Sequence, residues 1–277
     1  MPGAAPRPAD WSYAGGVTQV RYVAIGDSFS EGVGDELADG RVRGWADLVA
    51  QGWADATQHP ISYANLAIRG KLAWPIINEQ LERALTLRPT HLSFNAGGND
   101  MLRPRADIEH IADAYTRAAR RCAEEGVVLI VLSGANPSRQ LPMGDLIQRR
   151  GDELSAAVLR RVEGREGIVR ALNWPDRELG APVYWSEDRL HMNAFGHHRV
   201  AARVLSALGV DAPAEWWKPH QTLEIAGVRG WQYYRQHVGP WIGRRLTGRS
   251  SGDTREPKYS AWHEVAPTAA AHEEGER

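Results

Sequence analysis

Cysteine is nearly absent from this chain: Cys122 is the only one among 277 residues. That excludes an intrachain disulfide and any cysteine-based metal cluster. Cys122 lies within the helical pattern "YTRAARRCAEEG", which carries no nucleophile signature, so it reads as a small buried apolar residue. Lysine is almost as scarce. Only Lys71, Lys218 and Lys258 occur, and arginine supplies the rest of the 33 basic residues. An excess of either charge is missing too, since 34 acidic residues leave a net charge of -1. This argues against a general binder of nucleic acid or anionic membrane. No apolar run approaches the ~18 residues of a membrane span. The first residues, "MPGAAPRPADWSYAGG", place Pro, Gly and Asp where a signal peptide needs a continuous apolar region. The expectation is a cytoplasmic protein without a membrane span. No internal repeat is found.

What is present is a recurring apolar run of strand length. "QVRYVAIG" (19–26), "ISYANLA" (61–67), "HLSFNAGG" (91–98), "VVLIVLSG" (127–134) and "GIVRALN" (167–173) are the five examples. Four of them carry β-branched residues at their centre. Helical spacing fills the intervals at 44–58, 73–87, 107–126, 143–164 (interrupted at Gly151) and 193–209. Alternating strands and helices predict a parallel sheet with right-handed crossovers and helices on both faces. In such sheets, sites form outside the carboxyl ends of the strands. Gly26-Asp27-Ser28, Asn65 to Gly70 and Gly97-Gly98-Asn99-Asp100 all fall at such ends.

The composition divides the chain into a flexible N-terminus (1–18), an α/β domain (19–209), an aromatic and arginine-rich helical extension (210–248) and a disordered tail (249–277). The extension contains Trp216, Trp217, Trp231, Tyr234 and Trp241. It is expected either to pack on the α/β core or to form a homo-oligomer interface.

A serine at the end of a buried strand is backed by a rigid sheet and open to solvent, which suits a nucleophile. It needs a base, a group that orients the base, and donors for a developing oxyanion. In "WSEDRLHMNAFGHHRVA", Asp188 and His191 are two residues apart just before a helix. A short loop can fold the acid onto one imidazole nitrogen and leave the other facing a hydroxyl. A surface salt bridge would give the same spacing. The Gly-rich "GGND" and "NLAIRG" can expose backbone N–H groups, and Asn99 adds an amide donor. Asp27 is expected to brace the turn, and Asn193 to cap the helix or occupy a turn. Arg69 and Lys71 flank Gly70 as solvated charges or as contacts for an anionic group. His197 and His198 read as exposed or structural, and a metal site of Asp188, His191 and His197 lacks a clear ligand pattern.

With those residues in order, the chain resembles the SGNH (GDSL-type) hydrolases. Gly26-Asp27-Ser28 matches the first block, "NLAIRG" with Gly70 the second, "GGND" with Asn99 the third, and "DRLHMNAFGH" with Asp188 and His191 the last. The resemblance covers roughly residues 19–208. It implies a three-layer α/β/α fold with a five-stranded parallel sheet, close to the flavodoxin topology. It implies Ser28, His191 and Asp188 as catalytic triad, and an oxyanion hole of the Ser28 and Gly70 N–H groups with the Asn99 amide. It implies a serine ester hydrolase acting on a small acyl ester, with no metal or organic cofactor. Short-chain acyl esters are the default, because the motif loops are short and no long apolar lid is evident. Two other readings remain at this point. One is a flavodoxin-like phosphate or nucleotide binder, although G-x-x-x-x-G-K-[ST] and G-x-G-x-x-G are missing. The other is an interaction module with a vestigial site. An α/β-hydrolase is disfavoured, since no G-x-S-x-G surrounds Ser28.

Overall fold

A computed structural model describes residues 19–219 and 255–268. The expectations for residues 1–18, and for most of the aromatic extension, lie outside these. All five predicted strands form: β1 (Arg21–Ile25), β2 (Ile61–Asn65), β3 (His91–Phe94), β4 (Val128–Ser133) and β5 (Ile168–Leu172). They run parallel in the order β5-β4-β3-β1-β2. Ala24 pairs with Asn65, and Ile25 with Phe94, so the carboxyl ends of the three central strands are level. Strand order reverses between β1 and β3, which opens the crevice where doubly wound sheets place their sites.

Alternation along each strand serves both faces. Tyr22, Ala24, Ile130 and Leu132 pack under α2 (Trp45–Thr57) and α8 (Ala194–Ala207). Val23, Ile25, Phe94, Leu129 and Val131 pack under the stretch 73–86, α6 (Ile108–Glu124) and α7 (Gly144–Val162). The result is a three-layer α/β/α sandwich. α7 runs through Gly151, where the sequence pattern suggested an interruption. Glycine is required there because the ring of Trp174 lies against the helix: a Cβ at 151 would sit 1.9 Å from the indole. Cys122 is buried, as its pattern predicted.

Two features depart from expectation. The helix predicted over 73–87 is α3 (Ala73–Pro75), a π-helical segment (Ile76–Leu81) and α4 (Glu82–Thr86). The wider turn carries Gln80 into the sheet, where its side chain closes two hydrogen bonds with the backbone of Gly26. The sheet also has six strands rather than five. Residues 259–265, expected to belong to a disordered tail, form β6 (Tyr259–Val265), antiparallel to β2. Its half-exposed sequence "YSAWHEV" has no apolar run, and nearby prolines and glycines give the segment the composition of a tail. Pairing with the open edge of β2 is what orders it, and β6 in turn covers that edge. Of the extension's aromatics, Trp216 and Trp217 are described: the Trp216 ring meets His198 edge-on and lies beside Gly52, and the guanidinium groups of Arg199 and Arg203 lie over the Trp217 ring. Among the described residues, no helix is long and apolar enough to cross a membrane.

Candidate active site

β1 ends at Ile25, and Ser28 opens the four-residue helix α1 (Ser28–Glu31). Asp27 caps that helix by accepting the Phe29 N–H at 3.1 Å. The local bracing expected of Asp27 is therefore present. Its second oxygen accepts the Asn99 amide, also at 3.1 Å, a contact across 72 residues that no local pattern signals. Burial pushes the Asp27 carboxyl up to about 6, although the Phe29 N–H opposes the shift.

The loop after β2 is bolted to α1. Asn65 donates its amide to the Ser30 carbonyl, and the Ile68 N–H donates to the Gly26 carbonyl. Glu31 accepts both the backbone N–H and the guanidinium of Arg69. Arg69 is therefore neither a solvated charge nor a free anion contact: it anchors the residue next to Gly70. Lys71 is likewise paired, with Glu79 at 2.6 Å. Gly70 has φ +79°, where a side chain would be strained. Within the described residues, neither the Ser28 nor the Gly70 N–H has an acceptor.

β3 leads into α5 (Gly98–Met101), which carries Asn99. Besides Asp27, the Asn99 amide donates to the Lys71 carbonyl at 3.1 Å, so its plane is held on both sides. The last block sits ahead of α8, whose N-cap is Asn193, as the sequence suggested. Arg189 turns the chain with φ +57°, folding Asp188 back onto His191. One Asp188 oxygen receives the N–H groups of Leu190 and His191, and the other meets His191 Nδ1 at 2.5 Å. His191 Nε2 lies 3.1 Å from Ser28 Oγ. Assigned from these partners, Nδ1 carries the proton and Nε2 accepts from the serine. Burial would raise the Asp188 carboxyl, but the His191 ring and the two backbone N–H groups outweigh it and hold it well below the usual carboxylate range.

The structure thus brings Ser28, Gly70, Asn99, Asp188 and His191 to one end of the sheet. His197 is not among them. It is fully buried, accepts the Trp45 N–H and faces the Val33 carbonyl, so it serves the packing of α8 on α2. No group of His, Cys, Asp or Glu suited to a metal ion occurs among the described residues.

Ser28 and His191 open onto a pocket of about 120 Å³ that sequence reasoning did not foresee. Its wall includes Met101, Leu132, Leu154, Val158 and Trp174, drawn from elements far apart in the chain. Asn95 also lines it, with its buried Oδ1 unpartnered.

Residues 24–199, more than half of the chain, match the GDSL-like lipase/acylhydrolase family. The chain belongs to that family. It is a hydrolase of the SGNH, or GDSL, type, and ester hydrolysis is the chemistry that membership supports. Among solved structures, the lipase Lip_vut3 from a goat rumen metagenome is similar with a TM-score of 0.58 at 18% identity, covering 70% of this chain and 99% of that one. The esterase EstA from Pseudoalteromonas sp. gives 0.53 at 18% identity, over 68% and 96%. A variant of the acetyl xylan esterase Axe2 from Geobacillus stearothermophilus gives 0.55 at 16% identity, over 69% and 95%. At these identities the likeness establishes the fold. No curated protein matches.

Proposed function

We propose that this SGNH hydrolase is a serine carboxylester hydrolase that works through an acyl-enzyme on short-chain acyl esters. The observation that carries this reading is the unbroken chain from Ser28 Oγ through His191, 3.1 Å on one side, to Asp188, 2.5 Å on the other. Ser28 Oγ attacks the ester carbonyl while its proton passes to His191 Nε2. The Asp188 carboxylate holds the ring in the required tautomer and stabilises the imidazolium. The tetrahedral oxyanion is received by the Ser28 and Gly70 N–H groups and the Asn99 amide. Collapse breaks the bond to the alcohol oxygen, which takes the proton from His191. Water then gives its proton to the same nitrogen and attacks the acyl-serine, releasing the acid and restoring Ser28.

A fluorophosphonate probe should attach covalently to Ser28, as located by peptide mass spectrometry. A phosphate binder or a vestigial interaction module would remain unlabelled, and that outcome would discard the hydrolytic reading.

The Asn99 amide is already shared between two acceptors. In this mechanism one of its N–H bonds turns toward charge that develops only in the transition state. Asn99→Ala is therefore expected to lower kcat by about 10²–10³-fold with little change in KM. A variant altered in KM alone would move Asn99 from the oxyanion to ground-state binding.

A further inference from the structure

The pocket under Ser28 has a direction. Ser28 follows β1, Leu132 belongs to β4, and Leu172 ends β5. In the order β1-β3-β4-β5 the pocket therefore runs from Ser28 along the carboxyl ends of the strands toward β5. Beyond Asp27 and His191 no Asp, Glu, Lys, Arg or His lines it. Leu154, Val158 and Trp174, all buried, form its wall toward α7 and β5. Trp174 is held from three sides: its indole N–H donates to Asp152 at 2.8 Å, its backbone N–H to Ser133 Oγ at 2.9 Å, and its ring rests on Gly151.

Resting on the esterase reading, we propose that this pocket is the acyl-chain site and that it selects chains of about four to six carbons. The figure is set by comparison with an apolar cavity of ~150 Å³, which takes one benzene molecule, six carbons in all. A pocket of about 120 Å³ holds a slightly smaller chain. An acetyl group leaves it empty, and a palmitoyl chain meets Trp174. The order of events assigns it to the acyl rather than the alcohol side. The alcohol departs first and must pass the half-exposed His191 that protonates it. The acyl group stays on Ser28 until water arrives, so the pocket closed by α7 suits the part that stays.

The test uses the full-length protein and p-nitrophenyl esters, which keep the leaving group constant. kcat/KM should rise about fourfold per methylene from acetyl to hexanoyl, roughly 250-fold in all, and then fall toward palmitoyl. Ser155→Trp provides a second arm. Ser155 is half-buried on the pocket wall and makes no side-chain hydrogen bond among the described residues, so the indole fills the pocket at little cost in packing. It should bring the ratio of hexanoyl to acetyl kcat/KM down to about one, and an unchanged ratio would overturn the assignment. Equal rates across the acyl series would overturn the assignment. So would a rise confined to the alcohol length of alkyl acetates. Absence of all hydrolysis together with no fluorophosphonate labelling would remove the esterase reading itself.

Discussion

Ser28→Ala is expected to lower ester hydrolysis by on the order of 10⁴–10⁶-fold in kcat. The residues of a triad act as a unit, so losing the nucleophile costs about as much as losing all of them. Stability should hardly change. Ser28 is half-buried at a strand end and its hydroxyl has one side-chain partner, His191 Nε2. A single hydrogen bond nets about 0.5–1.5 kcal/mol, which for a domain of this size shifts Tm by less than ~6 °C. Steady-state kinetics and a thermal melt on the same preparation check both halves. Activity within tenfold of wild type would dismiss Ser28 as nucleophile, whereas a collapsed melt would leave the kinetic loss attributable to unfolding. In that case the near-isosteric Ser28→Cys should melt near wild type and lose fluorophosphonate labelling if the assignment holds, because a soft thiolate attacks a hard phosphorus centre poorly.

Lys258→Ala should produce the largest stability loss. Lys258 lies just ahead of β6, and its ammonium group reaches the carbonyls of Glu31, Val42 and Arg43 and the carboxylate of Asp47, all within 3.0 Å. Both side chains are largely buried, 12% and 16% exposed. Removing one member of a buried pair costs about 3–5 kcal/mol, because the remaining charge is uncompensated. That corresponds to a Tm lower by roughly 6–20 °C. The loss should depend on pH. Burial pushes the Asp47 carboxyl up to about 6 even with Lys258 opposing it. A folded-state value above the unfolded one, about 3.9, means that the native state binds the extra proton. The stability tied to this group is then complete below ~4 and lost as pH rises through about 6. Without the lysine the carboxyl rises further, so the deficit at pH 7.5 should shrink on acidification to pH 5. A deficit independent of pH would assign Lys258 to the three carbonyls alone. A melt matching wild type would return residues 255–268 to the dispensable tail that the composition suggested.

Five strands, their parallel alternation with helices, and the four motif blocks were legible in the chain itself. Each is a local signal: an apolar run that ends abruptly in glycine and small polar residues marks both the end of a strand and a place where a side chain can face solvent. Asp188 and His191 were legible for the same reason, since a two-residue spacing lets one turn join them. What the tertiary structure alone decided lies between distant residues. Asp27 meets Asn99 across 72 residues, Gln80 meets Gly26 across 54, Glu31 meets Arg69 across 38, and Lys258 meets Asp47 across 211. The pocket wall gathers β4, α7 and the segment after β5. β6 has no apolar run, and an unpaired edge of β2 is what makes it a strand. Periodicity records which face of an element is apolar, but not which element will lie opposite. That is set when the sheet orders its strands and closes, and the contacts that hold the site in place are made at that stage.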